Sequence, residues 1–316
     1  MKRVTLKDVA KTCGYSVNCV SRALMDADDI ATTTKQRIKQ IAEEMGYVPH
    51  MSASILRKGN SNRIGILCDN LLNPFYSVIT NYMQWRFVEK GYTFVTFYTT
   101  RQLFGTDDVK QIVASDVDGL ICFLGPDADA TAMLKKFNLP TVILGRKSDD
   151  FDSVVLDNFK GGYIITQRLI DSGRRNIVYI GENNIIDCSL DRGEGYLKAM
   201  KENNLTPVSF CAYERGSYEN VVEQMVKDNI PFDAIFCFND FGAYVVMDRL
   251  AEMGIYDKSI AGFDEIRKEL RFYGKVDTVG YDKQSFAQKA VDMLFERIRR
   301  SNIGQPKMVV EDVYLV

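Results

Sequence analysis

Short apolar runs alternate with longer amphipathic stretches from residue 62 to the end of the chain, and this alternation restricts the fold more than any other feature. IGILC (64–68) and IVYIG (177–181) are two such runs, and a stretch with helical periodicity follows each. Apolar strands that alternate with helices form parallel sheets covered on both faces. The alternation starts again after VVLD (154–157), so the sequence predicts a body of two similar α/β lobes.

Two places in this body are candidate crossovers between the lobes, VVLD and DTV (277–279). We therefore predict interleaved lobes, with lobe 1 at about 62–157 and 281–304 and lobe 2 at about 158–280 and 305–316. In this arrangement the helix KQSFAQKAVDMLFERIRR returns to lobe 1, and the terminal stretch MVVEDVYLV joins lobe 2.

The N-terminal segment TLKDVAKTCGYSVNCVSRAL (5–24) has two short helical stretches separated by a tight turn. Thr5 and Asp8 have the spacing of a capping box, in which two side chains satisfy each other's free backbone amides. Gly14 suits the left-handed conformation that the turn requires, and Ser16 is an N-cap for the second stretch. Two short helices joined by a turn with glycine are the pattern of a helix-turn-helix.

The second stretch has a polar face suited to reading the edges of DNA bases. Asn18 and Arg22 are four residues apart and share one side of the helix, next to Val17. Asn pairs bidentately with adenine, Arg with guanine, and an apolar side chain contacts the thymine methyl. The alternative is an ordinary helical hairpin with a solvated polar face, and the pattern by itself favours neither reading.

Two further features favour DNA binding by this head. Ile38, Ile41, Ala42 and Met45 have the spacing of a third amphipathic helix, which would complete a small core. Residues 1–60 contain ten Lys and Arg against six Asp and Glu, a net charge of +4, whereas the rest of the chain contains 30 basic and 36 acidic residues, a net charge of −6. A basic head on an acidic body suits a polyanion bound at one end.

Several segments, in a fixed order, resemble one protein family. TLKDVAKTCGYSVNCVSRAL, IAEEMGYVP and SASILRKGNSNRIGIL are similar to the head of the lactose repressor (LacI/GalR) family of bacterial transcription factors. NPFY, VDGLI, DNFKGGY, DRGEGY, FNDFGA and GFDE continue the resemblance through nearly the whole chain. Two departures lie outside the head, because Arg174 stands where many relatives have histidine and the usual arginine-serine ending is missing.

The resemblance implies a division of the chain into three parts. Residues 1–48 would form an all-α helix-turn-helix domain, 49–61 a hinge helix and linker, and 62–316 a periplasmic-binding-protein-like effector-binding and dimerisation domain. In the family, the leucine that matches Leu56 is wedged into the minor groove at the operator centre, whereas a plain flexible linker would make Leu56 incidental. The candidate DNA-binding residues are Thr5, Leu6, Ser16, Val17, Asn18, Ser21, Arg22, Thr34, Ala53 and Leu56.

A second set of candidates follows the apolar runs of the body. In open α/β sheets, ligands bind beyond the carboxyl ends of the strands, and the effector contacts of the family fall at matching positions. The candidate effector-binding residues are Asp69, Asn73, Phe75, Arg146, Arg192, Phe236, Asn239, Asp240 and Asp264. We expect Arg192 and Asp264 to bind the polar edge of a ring, with Phe75 and Phe236 stacked on it.

Some of these residues have an equally good structural explanation. A phenylalanine inside an apolar run can be part of the core, and polar residues at the start of a helix can be N-caps. These alternatives concern Phe236, Asn239, Asp240 and also Asp157, which follows the run VVL.

The sequence gives little support for an enzyme. RGEGYLKA contains two of the three glycines of a dinucleotide fingerprint and lacks a strand directly before it, and there is no phosphate-binding loop or nucleophile elbow. His50 is the only histidine, and the seven cysteines are scattered singly, as expected of reduced, buried side chains. We predict no catalytic residue, no metal site and no cofactor.

We also expect a cytoplasmic protein. No run approaches the roughly 18 apolar residues of a membrane span, and the N-terminus MKRVTLKDVAK lacks the apolar core of a secretory signal. The predicted function is that of a homodimeric transcription factor, most simply a repressor, which binds near-palindromic double-stranded DNA and responds to a sugar or sugar derivative. The alternative is a small-molecule binding module whose head has lost its DNA function.

Overall fold

The computed structural model describes residues 4–48, 60–183, 185–214, 216–271, 276–300 and 304–316. The chain separates into two compact units, Met1–Ser61 and Asn62–Val316, which we call the head and the body. The predicted hinge helix, with Ala53 and Leu56, lies outside the described residues.

The head is the predicted helix-turn-helix with a third helix. Its helices are α1 (Leu6–Cys13), α2 (Val17–Ala23) and α3 (Thr32–Glu44). Thr5 and Asp8 form the capping box, and Gly14 ends α1 with a φ of 77°, a conformation that a side chain with a Cβ disfavours. Val9, Val20 and Ile38, one from each helix, are fully buried together.

The first part of the body alternates strands and helices as predicted, with two short strands in addition. In chain order these elements are β1 (Arg63–Cys68), α4 (Pro74–Glu89), β2 (Thr93–Tyr98), β3 (Leu103–Phe104), α5 (Thr106–Ala114), β4 (Gly119–Cys122), β5 (Gly125–Pro126), α6 (Ala128–Lys136), β6 (Thr141–Leu144) and β7 (Asp152–Leu156). Neighbouring residues of β1 face opposite cores, since Ile66 packs in a cluster with Ile79 and Leu67 in another with Val109. Helices therefore cover both faces of this sheet, which explains its continuous apolar strands.

The second part repeats the pattern and then returns to the first. It comprises α7 (Asn158–Asp171), β8 (Ile177–Gly181), α8 (Asp187–Glu202), β9 (Val208–Cys211), α9 (Tyr218–Lys227), β10 (Ala234–Cys237), α10 (Asp240–Glu252), β11 (Ser259–Ala261), α11 (Arg267–Leu270) and β12 (Val279–Tyr281). The last elements are α12 (Lys283–Arg299), β13 (Met308–Glu311) and β14 (Val313–Leu315). The body thus has the predicted two-lobed α/β architecture.

The strand order defines the two lobes. The sheet of lobe 1 has the order β13-β7-β6-β4-β1-β2, and the sheet of lobe 2 has the order β11-β10-β8-β9. Strands β12 and β14 form an antiparallel pair, and Asp277, just before β12, bridges to Ala261 at the end of β11. As expected, α12 lies against lobe 1. Its Leu294 side chain packs on Gly119 of β4, where an added Cβ would lie 3.0 Å from Leu294 Cδ1.

The predicted lobe boundary at the C-terminus is wrong in one respect. Residues 305–316 were expected to join lobe 2, but Met308–Glu311 pairs in parallel with β7 and forms an edge of the lobe 1 sheet. The chain crosses to the other lobe only after Glu311, where Val313–Leu315 pairs with β12. The main chain therefore passes between lobes after β7, after β12 and after β13. Within the described ranges, no helix has both the length and the apolar character needed to span a membrane.

Candidate ligand cleft and nucleic-acid interface

Helix α2 presents an exposed face on the head. Val17, Asn18 and Arg22 are all exposed to solvent, so the structure places the three predicted base-reading residues on one accessible surface. Ser16 caps the helix by accepting a hydrogen bond from the amide of Cys19, and the capping residue Thr5 is exposed at the start of α1.

The remaining head candidates are less accessible. Leu6 and Thr34 are half-buried, and Leu6 packs against the core of the head. Ser21 retains only 8% of its accessible surface, because it lies on the inner side of α2 between Val20 and the core residue Ala23. The structure therefore does not place Ser21 on the exposed face with Asn18 and Arg22.

A cleft of about 330 Å³ opens at the carboxyl ends of the strands of both lobes. Its walls are the segments that follow β1, β2, β4, β6 and β7 in lobe 1 and β8, β9, β10 and β11 in lobe 2. Seven of the predicted effector-binding residues line it together: Asp69, Asn73, Phe75, Arg146, Arg192, Asn239 and Asp264. Seven of the nine candidates therefore meet at one cavity at the strand ends.

Phe236 is one of two predicted residues that do not line the cleft. It is fully buried inside β10, with its ring centroid 5.1 Å from that of Tyr179 on the neighbouring strand. The structural alternative, a core residue, is therefore correct. The phenylalanine of this segment that lines the cleft is Phe238, the first residue beyond β10.

Asp240 is the second predicted effector-binding residue that does not line the cleft. Its carboxylate accepts hydrogen bonds from the Thr278 hydroxyl at 2.6 Å and from the Ile266 amide at 3.0 Å, and it is absent from the cleft lining. Asn239 has both roles that were considered, since it lines the cleft and caps α10 through the amide of Gly242 at 2.9 Å. Asp157 is the N-cap of α7 and does not reach the cleft.

Arg192 is held rigidly at the lobe 2 wall. Its Nε donates to Asn158 Oδ1 at 2.9 Å and its Nη1 to the Phe238 carbonyl at 2.5 Å. The guanidinium also lies over the ring of Phe263, at 3.6 Å from the centroid, and over that of Phe238, at 4.4 Å. Such cation–π contacts are strongest when desolvated, and Arg192 is buried.

Close packing of two helices fixes the backbone below this arginine. A Cβ at Gly162 of α7 would lie 2.1 Å from the carbonyl oxygen of Arg192, and a Cβ at Gly195 of α8 would lie 2.2 Å from the carbonyl oxygen of Phe159. Only glycine allows these backbones to approach so closely. The motifs DNFKGGY and DRGEGY thus position Arg192.

Asp264 is strained and incompletely satisfied. Its φ is 108°, a value that L-residues rarely adopt and that clusters at ligand sites. Only 4% of its surface is accessible, and Oδ1 has no hydrogen-bond partner among the described residues. Burial raises the pKa of Asp264 to about 6, against the opposing effect of Arg192.

Several cleft residues were not among the sequence candidates. Tyr76 donates to Asp69 at 2.5 Å, and Tyr218 from behind the wall donates to Glu182 at 2.5 Å. Burial raises the pKa of Glu182 above its usual value. Glu182 directly follows the apolar strand β8, so the strand-end rule would have found it had it been applied to every strand. Phe123 follows β4 but lies inside the apolar run GLICFL, so this rule would have missed it.

The chemistry of the cleft is that of polar ring recognition. Phe75, Tyr76 and Phe123 meet edge to face, with centroids 5.0–5.7 Å apart, and charged groups stand opposite them. Among the described residues, no group of three or more His, Cys, Asp or Glu side chains is placed to hold a metal ion. A helix-turn-helix head joined to a two-lobed body with such a cleft defines the class of ligand-responsive DNA-binding proteins.

Comparison with known families confirms this class and the resemblance of the sequence. A model described as "Bacterial regulatory proteins, lacI family" matches residues 5–50. A second, described as "Periplasmic binding proteins and sugar binding domain of LacI family", matches residues 61–304. The chain belongs to the LacI family, and it is a DNA-binding transcriptional regulator that responds to a small molecule.

Individual relatives match along nearly the whole chain. The HTH-type transcriptional regulator MalR of Clostridium butyricum is 29% identical, over 99% of this chain and 98% of its own length. The HTH-type transcriptional repressor PurR of Vibrio campbellii is 28% identical, over 98% of both. A crystal structure of the lac repressor dimer bound to operator and an anti-inducer has a TM-score of 0.79 at 24% identity and covers 100% of this chain and 98% of its own.

Proposed function

We propose that this protein is a cytoplasmic homodimeric repressor, which binds a near-palindromic operator and changes its DNA affinity when a sugar or sugar derivative occupies the cleft. The observation that supports the effector most directly is Asp264, which is buried and strained close to the fixed guanidinium of Arg192 and whose Oδ1 has no hydrogen-bond partner among the described residues. Such a pair suits a polyhydroxylated ring, because the carboxylate accepts from a hydroxyl and the guanidinium donates to one.

The proposed linkage between cleft and DNA follows from the two lobes. Asp69, Phe75 and Arg146 come from lobe 1, whereas Arg192 and Asp264 come from lobe 2. A ligand that contacts both walls favours one arrangement of the lobes over another, and it shifts the equilibrium by its difference in affinity for the two. The cleft then binds its ligand without transforming it, so we propose no catalytic role.

The head residues of the proposed DNA interface divide by role. Val17, Asn18 and Arg22 would contact base edges in the major groove, while Thr5, Leu6, Ser16 and Thr34 would place the helices against the DNA backbone. Ala53 and Leu56 belong to the proposed hinge, in which Leu56 would enter the minor groove and bend the duplex. A dimer with two heads explains why the operator would be near-palindromic, and the lac repressor dimer on its operator supports this arrangement.

Selection from a pool of random double-stranded DNA with the full-length protein tests the proposal. We expect enrichment of one sequence with two inverted half-sites, which a gel shift then shows to bind more tightly than shuffled DNA at the same salt concentration. A binding module without DNA function would enrich no sequence, and that result would exclude the repressor. Enrichment of a single, unrepeated half-site would exclude the symmetric dimer.

A further inference from the structure

Arg146 is a cationic side chain of the cleft that has no hydrogen-bond or ion-pair partner among the described residues. It directly follows β6 and lines the lobe 1 wall, with 9% of its surface accessible. Its side chain has no hydrogen bond and no ion pair with any residue that the structure describes. None of its nitrogens is among the fully buried, unpartnered atoms of the described residues, so the guanidinium faces the cleft with its donors free. It can therefore bind a group that the protein does not supply.

The neighbouring groups are already committed to other partners. Arg192 donates to Asn158 and to the Phe238 carbonyl. Asp69 accepts from Tyr76, and Glu182 accepts from Tyr218. Arg146 is near enough to Glu182 to oppose the rise of its pKa, yet neither carboxylate lies within ion-pair distance of the guanidinium.

The same wall offers further donors. Arg101, in the segment after β2, lines the cleft and forms no ion pair. Its neighbour Gln102 also lines the cleft, and the buried Nε2 of its amide has no hydrogen-bond partner. Lobe 1 therefore presents donors, whereas lobe 2 presents the acceptor Asp264.

We propose that the effector bears an anionic group, a phosphate ester or a carboxylate, which Arg146 binds while Arg192 and Asp264 hold the hydroxyl-bearing part of the molecule. The planar fork of a guanidinium matches either anion with two parallel hydrogen bonds. This inference rests on the proposed function and narrows the ligand from sugars in general to acidic sugar derivatives.

Isothermal titration of the full-length protein with matched pairs of compounds tests the inference. The probes are glucose, fructose, mannose and galactose, the 6-phosphate of each, glucuronate and galacturonate, with inorganic phosphate as a competitor. We expect at least one anionic derivative to bind about tenfold or more tightly than its neutral parent, the effect of one charge-assisted contact, and its affinity to fall as salt rises. Comparison of the sugar phosphates with glucuronate and galacturonate then identifies which anion the protein recognises.

Variants show whether Arg146 is the group responsible. Arg146→Gln should remove the preference for the anionic compound and leave the neutral parent unaffected, and Arg146→Lys should retain part of the preference because it retains the charge. Lys135→Gln is the matched control, since it removes one positive charge of lobe 1 that pairs with Asp150 at the surface; it should change nothing. Thermal unfolding verifies that each variant is folded.

Two results would overturn the inference in distinguishable ways. If neutral sugars bind as tightly as their anionic derivatives, or if Arg146→Gln keeps the preference, the anionic effector is wrong while the proposed regulator stands. If none of the sugars or derivatives binds, the carbohydrate effector of the proposed function is rejected as well.

Discussion

Arg22 Nη2 lies 2.6 Å from Asp29 Oδ1, and the two side chains are 45% and 52% exposed. The guanidinium that we assign to base reading is thus neutralised in the free head by a carboxylate beyond the end of α2. An ion pair this exposed is worth little, so a base can replace Asp29 at small cost. The negative charge of Asp29 also repels phosphate groups that approach Arg22.

Arg22→Ala should reduce operator affinity by about 1–3 kcal/mol and flatten discrimination at one base pair in each half-site. The reason is that a bidentate contact to a base edge is lost. Fluorescence anisotropy with the operator and with single-base variants measures both effects. An unchanged ratio of operator to random-DNA affinity would show that Arg22 does not read a base.

Asp29→Asn should tighten binding to all DNA sequences and lower the ratio between operator and random DNA. Removing the carboxylate frees Arg22 for phosphate contacts, which do not depend on sequence. Asp28→Asn is the matched control, because it removes the same charge from the adjacent exposed residue. If both variants change the ratio of operator to random-DNA affinity equally, the effect comes from the net charge of the loop and not from the ion pair with Arg22.

Phe236→Ala should destabilise the body by about 3–5 kcal/mol, as large-to-small substitutions of buried aromatic residues do. Phe238→Leu should instead leave stability nearly unchanged and weaken ligand binding, because Phe238 lines the cleft and covers Arg192. Denaturant unfolding and ligand titration of both variants separate the two roles. A stable Phe236→Ala protein with impaired ligand binding would contradict the assignment to the core.

Stability should fall as the pH rises, because of Asp240. Burial, together with the neighbouring Asp264, raises the pKa of Asp240 from 3.8 to about 8. The folded protein therefore holds this proton more tightly than the unfolded chain, and the resulting stabilisation is full below pH 4 and is lost as the pH rises through about 8.

Comparison with a neutral variant isolates this contribution. Between pH 5 and pH 8 the wild type should lose on the order of 3–4 kcal/mol more unfolding free energy than Asp240→Asn. Asp248→Asn, an exposed position of the same helix α10, should behave as the wild type. Urea unfolding measures the unfolding free energy at each pH. If it depends on pH in the same way for the wild type and Asp240→Asn, Asp240 is already ionised in the folded state.

The alternation of strands and helices was predictable because it follows from burial on both faces of each sheet. The course of the terminal segment MVVEDVYLV was not, since it is one apolar run whose parts pair with β7 and with β12. Nothing local to Glu311 and Asp312 distinguishes a continuous strand from a crossing between lobes. Strand pairing depends on contacts distant in the sequence, and these decide where the segment divides.

The cleft was predictable to within about one residue at each strand end. Phe236 and Phe238 are two residues apart, and only the end of β10 at Cys237 determines which ring reaches the cleft. Asn239 and Asp240 differ in the same way, because the first turn of α10 directs one side chain to the cleft and the other to Thr278. The hydrogen bonds of Tyr76 to Asp69 and of Tyr218 to Glu182 form within lobe 1 and lobe 2, respectively. Like the absence of a partner for Arg146 among the described residues, they have no local signal in the sequence.

The central claim is that a ligand in the cleft controls the head, and Asp264→Asn tests it most directly. The measurement is operator affinity of the full-length protein by fluorescence anisotropy, at fixed salt, with and without a ligand that raises the melting temperature. We predict that saturating ligand changes the wild-type affinity by about fivefold or more. In Asp264→Asn the affinity without ligand should equal that of the wild type and should no longer respond. Two results would contradict the account: an operator affinity of the wild type that does not change at saturating ligand, or an equal change in Asp264→Asn.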